Sequence, residues 1–218
     1  MIRSYEELIR TADAYADSWT LITGVELGVF THIGPKSVTA KAVARKSRTS
    51  PEGMEFLLNA LVGMGVLVKR GNRYQNTPLS RTYLDAASPK SITNFLWLAG
   101  QHWEDWMGLT QAIRKGRGPR NLKAQDDLVF RRRFAKALHE RSFYLTPRLI
   151  RHIHLGRAKS LLDLGGGAGT HAMAFCQAYP GLTATIFDLP ETLHTTERLV
   201  KEARLEGRIR LLDRKSVV

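Results

Sequence analysis

Residues 161–169 of the chain are LLDLGGGAG, a short apolar run that leads directly into glycines. The glycines at 165, 167 and 169 follow Asp163 with the spacing D-x-G-x-G-x-G. The dinucleotide fingerprint G-x-G-x-x-G would need a glycine at position 170, where Thr170 stands. Such glycines let the backbone turn sharply and approach a ligand closely before a helix begins. The segment predicts a strand, a ligand-binding loop and a helix; a glycine-rich turn that binds nothing is the alternative.

Predicted strands and helices alternate downstream of this motif. The segments are strand 160–164, helix 170–179, strand 183–187, helix 190–206 and strand 208–212. Alternation of this kind predicts a parallel, doubly wound sheet. Asp188 ends the second of these strands, where an acid can accept hydrogen bonds from ribose hydroxyls. A helix cap is the alternative role for Asp188.

The first half of the chain has a different pattern. Ser4, Thr39 and Ser50 can each cap a helix, and Pro51 suits the first helical position. A Gly71-Asn72 turn then joins two short apolar segments into a hairpin. Helix, turn, helix and hairpin follow one another in the winged-helix order. The apolar spacing also predicts helices at 4–30, 89–115 and about 126–154.

These patterns divide the chain into three segments. We expect a mainly helical winged-helix domain at 1–115, connecting helices at 116–156, and the first part of an α/β domain at 157–218. The length of 218 residues and the 43% hydrophobic content allow one or two domains with real cores.

Composition bounds the location and the partners. No apolar stretch approaches the ~18 residues that a membrane span needs, and the single cysteine, Cys176, excludes an internal disulfide or a cysteine-based metal cluster. We therefore expect a soluble, cytoplasmic protein with no membrane partner and no metal. The formal charge of +13 raises nucleic acid as a partner. The basic residues form no single block, however, so a nucleic-acid role is not favoured.

Several motifs together resemble one family, the S-adenosylmethionine-dependent small-molecule O-methyltransferases of bacteria and plants. In the second half these are LLDLGGGAG (161–169), QAYPGL (177–182) and IFDLP (186–190). In the first half they are LGVFTHI (27–33) and SPEGMEFLLNALVGMGVL (50–67). Members of the family methylate phenylpropanoids, flavonoids, carotenoids, polyketides and acetylserotonin.

The resemblance implies a fold, a cofactor and partners. The fold is an N-terminal winged-helix dimerisation domain followed by a Rossmann-like class I methyltransferase domain. The cofactor is S-adenosylmethionine, the substrate is a small hydroxylated molecule, and the protein is a homodimer. Large apolar residues before position 115 support a dimer surface; they include Trp19, Phe30, Trp97, Trp103 and Trp106.

The resemblance also implies site residues. Those implied for the cofactor are Ser142, Asp163, Gly165, Gly166, Gly167, Asp188 and Leu189. Those implied for the acceptor pocket are Phe130, Phe134 and Leu138, which share a helical face because they are four residues apart. Core packing is the alternative for these three.

The family's catalytic base is a histidine in a segment beyond the fourth strand of the sheet, whereas this sequence ends in the third strand. None of the histidines at 102, 139, 152, 154 and 171 lies in such a segment, so no catalytic residue is assigned. We therefore expect a fragment that is inactive alone, with one edge of its sheet uncovered. The last six residues, DRKSVV (213–218), also match the translation of a common sequencing adapter. One hypothesis is that they are not native sequence.

Two other functions compete with this interpretation. A winged-helix DNA-binding regulator is the first, with basic residues at 36, 41, 45, 46, 48, 69, 70 and 73 available for phosphates. The presumed recognition helix, 51–64, offers only Glu52, Glu55 and Asn59 for reading bases. A cofactor-binding scaffold without catalysis is the second.

Overall fold

A computed structural model describes residues 2–118 and 128–213, and for Glu104 and Leu128 it describes the backbone alone. The helices and strands of these residues are α1 Tyr5–Glu26, α2 Val29–Ile33, β1 Val38–Thr39, α3 Ala40–Ser47, α4 Pro51–Gly63, β2 Leu67–Arg70, β3 Arg73–Asn76, α5 Pro78–Tyr83, α6 Thr93–Gln101, α7 Trp103–Met107, α8 Leu109–Lys115, α9 Leu128–His152, β4 Ser160–Leu164, α10 Thr170–Ala178, β5 Thr183–Asp188, α11 Pro190–Glu202 and β6 Ile209–Asp213.

The first helix starts at the predicted cap and ends earlier than predicted. Ser4 Oγ accepts a hydrogen bond from the Glu7 N–H at 3.2 Å, while Glu7 Oε2 accepts from the Arg3 N–H at 2.7 Å. The prediction of one continuous helix to residue 30 was wrong, because α1 ends at Glu26. Gly28 adopts a left-handed conformation with φ 64°, which ends the first helix and redirects the chain into α2.

The first of two compact units, Met1–Gly116, has its core between α2, α3, α4 and the hairpin. Thr39 and Ser50 cap α3 and α4 as predicted, each accepting a backbone N–H. β3 pairs with both β2 and β1 in an antiparallel sheet. The largest fully buried side chains of this core are Phe30, Ile33, Met54, Leu58, Leu61, Leu67 and Tyr74. Phe30 therefore belongs to the core and offers no surface to a partner, contrary to its place among the expected dimer residues.

The single helix predicted over 89–115 is three short helices, α6, α7 and α8. Gly108 separates the last two, and glycine is a poor helix former. Trp103, at the start of α7, stacks on Trp19 of α1 with ring centroids 5.1 Å apart. Apolar periodicity predicted the helical state of this segment correctly but did not predict the breaks within it.

The second unit contains the predicted parallel sheet, with strand order β4-β5-β6. β6 extends one residue beyond the predicted end, and its last residue, Asp213, lies beside Asp188 of β5 in the register. α9 packs on α10 and α11. Contacts divide the chain into two compact units, Met1–Gly116 and Arg117–Val218, so the segment predicted as a separate connection groups with the α/β unit.

One face of the parallel sheet carries exposed leucines. Leu162 is 58% and Leu164 is 71% exposed, and the two share a face because alternate residues of a strand point the same way. The opposite face packs into the core of the unit through Ala184, Ile186 and Ile209. Parallel sheets in proteins are normally covered on both faces, so Leu162 and Leu164 mark an unusual surface.

Within the described residues, no helix is both long enough and apolar enough to cross a membrane. Residues 214–218, and with them most of the tail hypothesized to be non-native, lie outside the described part of the chain.

Candidate cofactor site at the ends of two parallel strands

The loop after β4 is held in a tight turn by backbone hydrogen bonds. The Gly165 N–H donates to Phe187 O at 2.8 Å, which prolongs the pairing of β4 with β5. The Gly169 N–H donates to Gly166 O at 2.8 Å, and α10 begins at the next residue. The loop therefore lies at the carboxyl ends of two strands and at the start of a helix, a position where an anion or a nucleoside is commonly bound.

Two different structural requirements favour glycine in this loop, a positive φ and a close approach to neighbouring side chains. Gly165 and Gly167 have φ of 65° and 56°, and a Cβ on either would point into open space. A Cβ on Gly166 would lie 2.8 Å from both Asp163 Cγ and Ile186 Cγ2. The first two leave room for a ligand against the backbone, whereas Gly166 lets the loop pack onto the sheet.

Asp188 joins the end of β5 to this loop. Its Oδ2 accepts a hydrogen bond from the Gly167 N–H at 2.8 Å, and its Oδ1 accepts from the Leu189 N–H at 2.6 Å. A carboxylate can accept about four hydrogen bonds, so both oxygens retain acceptor capacity. The Leu189 side chain is exposed beside it.

Thr196 is a site residue that the sequence analysis missed. Its hydroxyl is fully buried and donates to Gly167 O at 2.6 Å, which braces the loop against α11. The same oxygen lies 3.2 Å from Thr192 O, one turn earlier in the helix. No pattern in the sequence distinguishes this threonine from others, because its role depends on where α11 packs.

Asp163, at the end of β4, is a half-buried carboxyl beneath the loop. Burial raises its pKa above the usual value, and the neighbouring Asp188 charge raises it further. His171 and a hydrogen bond from the Ala172 backbone act in the opposite direction. A positively charged group bound nearby would favour the ionised form of Asp163.

α9 carries the remaining residues predicted for the site. Ser142 Oγ donates to Leu138 O at 2.8 Å and keeps its acceptor capacity. The Phe130 and Phe134 rings stack with centroids 6.1 Å apart, and Phe134 and Leu138 are partly exposed. The structure thus places these residues on one helix, and it places Asp163, the glycines, Asp188 and Leu189 together at the strand ends.

Polar groups of this site suit a nucleoside-containing cofactor better than a metal. Open space faces Gly165 and Gly167, and Asp188 ends β5 beside the loop, where an acid can accept hydrogen bonds from hydroxyl groups. Among residues 2–118 and 128–213, no group of three or more His, Cys, Asp or Glu side chains is placed to hold a metal ion. The parallel sheet, the glycine loop after β4 and the acid that ends β5 together form a Rossmann-type arrangement of the kind that binds nucleosides.

Comparison with known families identifies the chain more closely. The model of the O-methyltransferase dimerisation domain matches residues 9–86, and the model of the O-methyltransferase domain matches residues 106–213. The chain belongs to the S-adenosylmethionine-dependent O-methyltransferase family. This confirms the family and the fold class expected from the sequence. The alternative of a DNA-binding regulator finds no support in these matches.

Individual relatives agree with this assignment. Rat acetylserotonin O-methyltransferase is 30% identical over 88% of this chain and 47% of its own length. The N,N-dimethyltransferase OxyT of Streptomyces rimosus is 28% identical over 93% of this chain and 62% of its own length. The crystal structure of human N-acetylserotonin methyltransferase in complex with SAM superposes with a TM-score of 0.83 at 29% identity, covering 98% of this chain and 66% of that one. The chain spans about half the length of the rat enzyme.

Proposed function

We propose that residues 1–218 belong to a protein that transfers the methyl group of S-adenosylmethionine to a hydroxyl group of a small aromatic, polyketide-like or carotenoid-like molecule, and that these residues alone, among which no catalytic base is assigned, are inactive. The observation that supports this most directly is the Asp188–Gly167 hydrogen bond, which couples an acid at the end of β5 to the glycine loop after β4. S-adenosylmethionine would supply an electrophilic methyl group. The acceptor oxygen would bond to the methyl carbon, the S–C bond would break with its electron pair staying on sulfur, and the hydroxyl proton would go to a base that is not assigned among the residues of this chain.

The cofactor contacts we propose are Ser142, Asp163, Gly165, Gly166, Gly167, Asp188 and Leu189. Asp188 has acceptor capacity for the ribose hydroxyls, and the exposed Leu189 side chain can cover the adenine ring. Gly165 and Gly167 leave open space against the backbone, while Gly166 contributes its backbone alone because a side chain there would strike Asp163. Asp163 holds the loop and favours the positively charged methionine end.

The acceptor contacts we propose are Phe130, Phe134 and Leu138. Phe134 and Leu138 lie one helical turn apart with partly exposed side chains, and the ring of Phe130 stacks on that of Phe134. Such a face suits an aromatic or otherwise apolar acceptor, since aromatic rings stack and bury well. Relatives named acetylserotonin and 3-hydroxy-5-methyl-1-naphthoate O-methyltransferases act on aromatic compounds of this kind.

We also propose that the dimer forms through α1 with a second copy of the chain. The apolar residues Tyr5, Leu8, Ile9 and Tyr15 are all exposed and recur on one face of this helix. Apolar surface of this kind is favourable to bury, at roughly 25 cal/mol per Å². The match of residues 9–86 to a dimerisation domain supports the second copy as the occupant.

Calorimetry with S-adenosylhomocysteine tests the proposed cofactor site on the 218-residue chain. We expect saturable binding with one site per chain, because the loop and Asp188 are both present. A chain that is folded by circular dichroism yet gives no heat of binding at millimolar ligand would contradict the proposal. Guanosine serves as the control nucleoside, because it has the ribose but neither adenine nor the methionine tail.

A further inference from the structure

Two hydrogen bonds link α9 to the first two residues of α10. His139 Nδ1 lies 2.7 Å from Thr170 Oγ1, and Thr146 Oγ1 lies 3.0 Å from His171 Nδ1. Each helix supplies one histidine and one threonine, so the two bonds are reciprocal. We call these four residues the His–Thr clasp.

The clasp brackets Ser142 on α9. Residues 139, 142 and 146 are three and four positions apart, so they lie on one face of the helix. On α10, Thr170 and His171 follow Gly169 directly, the last residue of the glycine loop. The clasp therefore fixes the helix that carries Ser142 to the segment that continues the loop.

Hydrogen-bond chemistry fixes the direction of one of these bonds. Thr146 Oγ1 lies 2.7 Å from Ser142 O, a carbonyl that can only accept, so the hydroxyl proton goes there. His171 Nδ1 must then carry a hydrogen and donate it to Thr146 Oγ1. The Ser142 backbone, Thr146 and His171 thus form a directed chain, and His171 also lowers the pKa of Asp163.

We propose that the His–Thr clasp is a positioning device that aligns Ser142 of α9 with the Gly165–Gly169 loop and Asp163, so that the three together receive the methionine end of the cofactor. His139, Thr146, Thr170 and His171 are positioning residues, because they act through Ser142, Asp163 and the loop. The identity of the ligand in this inference rests on the proposed function. The restraint of the loop by the clasp does not rest on it.

The surroundings of the clasp make it testable by substitution. Thr146 is only 5% exposed, which protects its bonds from competition with water. His139, Thr146 and Thr170 also border an open groove of about 820 Å³ between α9, α10 and α11. Valine has nearly the shape of threonine and leucine is close in size to histidine, so we expect Thr146→Val and His171→Leu to fold.

The experiment compares two ligands that differ in the methionine end. S-adenosylhomocysteine has this end, whereas 5′-methylthioadenosine has the adenine and ribose without it. We expect Thr146→Val and His171→Leu each to weaken S-adenosylhomocysteine about tenfold, the effect of one hydrogen bond. Affinity for 5′-methylthioadenosine should stay within about twofold, since Asp188 is untouched.

Two controls separate positioning from general packing. His171→Asn retains an N–H near the position of Nδ1 and should restore most of the affinity lost in His171→Leu. Thr195→Val removes the hydroxyl of another buried threonine in the same unit, on α11 and outside the clasp, and should change neither affinity. Equal losses for both ligands in the clasp variants, or no loss for either, would overturn the proposal.

Hydrogen exchange provides a readout that needs no ligand. The amides of 165–170 should exchange faster in Thr146→Val and His171→Leu than in the wild-type chain, because the clasp restrains the loop. Unchanged exchange in both variants would overturn the proposal even if affinities changed. If the wild-type chain binds neither nucleoside while exchange accelerates in the variants, the proposed function fails and the clasp stands as a loop-positioning device.

Discussion

The carboxylate of Asp188 accepts a hydrogen bond of 2.8 Å from the Gly167 N–H, so the residue that ends β5 holds the loop that follows β4. The Asp188 side chain therefore has two functions. It orders the glycine loop, and it is the proposed acceptor for the ribose hydroxyls. Loss of the carboxylate should therefore affect both the loop and the ligand.

Asp188→Ala should weaken binding of S-adenosylhomocysteine by roughly 10- to 100-fold, since unmade charge-assisted hydrogen bonds cost about 1–3 kcal/mol. Isothermal titration calorimetry on the wild-type and variant chains measures the change. Asp188→Asn keeps one acceptor oxygen and should lose less. Identical affinities for the wild-type and alanine chains would remove Asp188 from the site.

Gly166→Ala should destabilise the chain by about 1–3 kcal/mol, the usual cost of forcing an extra carbon into a packed site. The new Cβ would lie 2.8 Å from Asp163 Cγ and from Ile186 Cγ2. Gly207→Ala is the matched control, because no atom lies within 4 Å of a Cβ there. Urea unfolding compares the two, and equal midpoints would contradict the packing described for the loop.

Asp163→Asn should stabilise the folded chain at neutral pH and weaken cofactor binding. Burial is the main cause of the raised pKa of this carboxyl, so folding disfavours its charged form. The folded state therefore binds the proton more tightly than the unfolded state, and Asp163 costs stability above its folded pKa. This cost disappears as the pH falls toward 3.8, the reference value for an aspartate.

The difference in unfolding free energy between Asp163→Asn and wild type should accordingly be largest near pH 7 and shrink on acidification. Denaturant unfolding at pH 7 and at about pH 4 measures it, because the contributions of other groups cancel in the difference. If Asp163→Asn were instead less stable than wild type at pH 7, with the deficit shrinking toward acid, the carboxylate would be stabilised by the fold.

Thr196→Val should cost about 1 kcal/mol, since it removes the donor to Gly167 O. Valine has nearly the same shape, so packing against Gly169 is retained. Unchanged stability of Thr196→Val would contradict the prediction, because it would show that the Gly167 carbonyl loses nothing when this donor is removed. Thermal unfolding of Thr195→Val controls for the loss of a buried threonine hydroxyl as such.

Leu8→Lys should shift the chain from dimer toward monomer, because it places a charge within the proposed apolar face of α1. Ala14→Lys adds the same charge at an exposed position outside this face and should leave the dimer intact. Light scattering at micromolar concentration reports the mass of each chain. A wild-type chain that is monomeric under these conditions would argue against α1 as the dimer surface.

Local rules account for what the sequence predicted correctly. Ser4, Thr39 and Ser50 cap helices because the capping bond joins residues three apart, and that relation is visible in the sequence. The parallel sheet follows from alternating apolar strands and helices in the same way. The D-x-G-x-G-x-G spacing likewise placed the loop at a strand end.

Relations between distant segments could not be predicted this way. No local pattern gives His171 a role, because its partner Thr146 lies on another helix, 25 positions away. Trp103, at the start of α7, stacks on Trp19 of α1, and no local rule predicts this contact. In both cases the contact depends on how helices pack, and periodicity alone does not encode that.

The exposed leucines of β4 have a consequence for mutational tolerance. Replacing an uncovered leucine with a polar residue is close to free, whereas removing a buried leucine side chain costs about 2–5 kcal/mol. Leu164 is 71% exposed, so tolerance of polar residues at this position shows whether the face is uncovered in the cell. A saturation library scored by protein abundance can compare position 164 with the fully buried Ile186. If polar residues are tolerated at 164 but rejected at 186, the face of the sheet that carries Leu164 is open to solvent. Rejection at both positions would reveal that another polypeptide segment covers it.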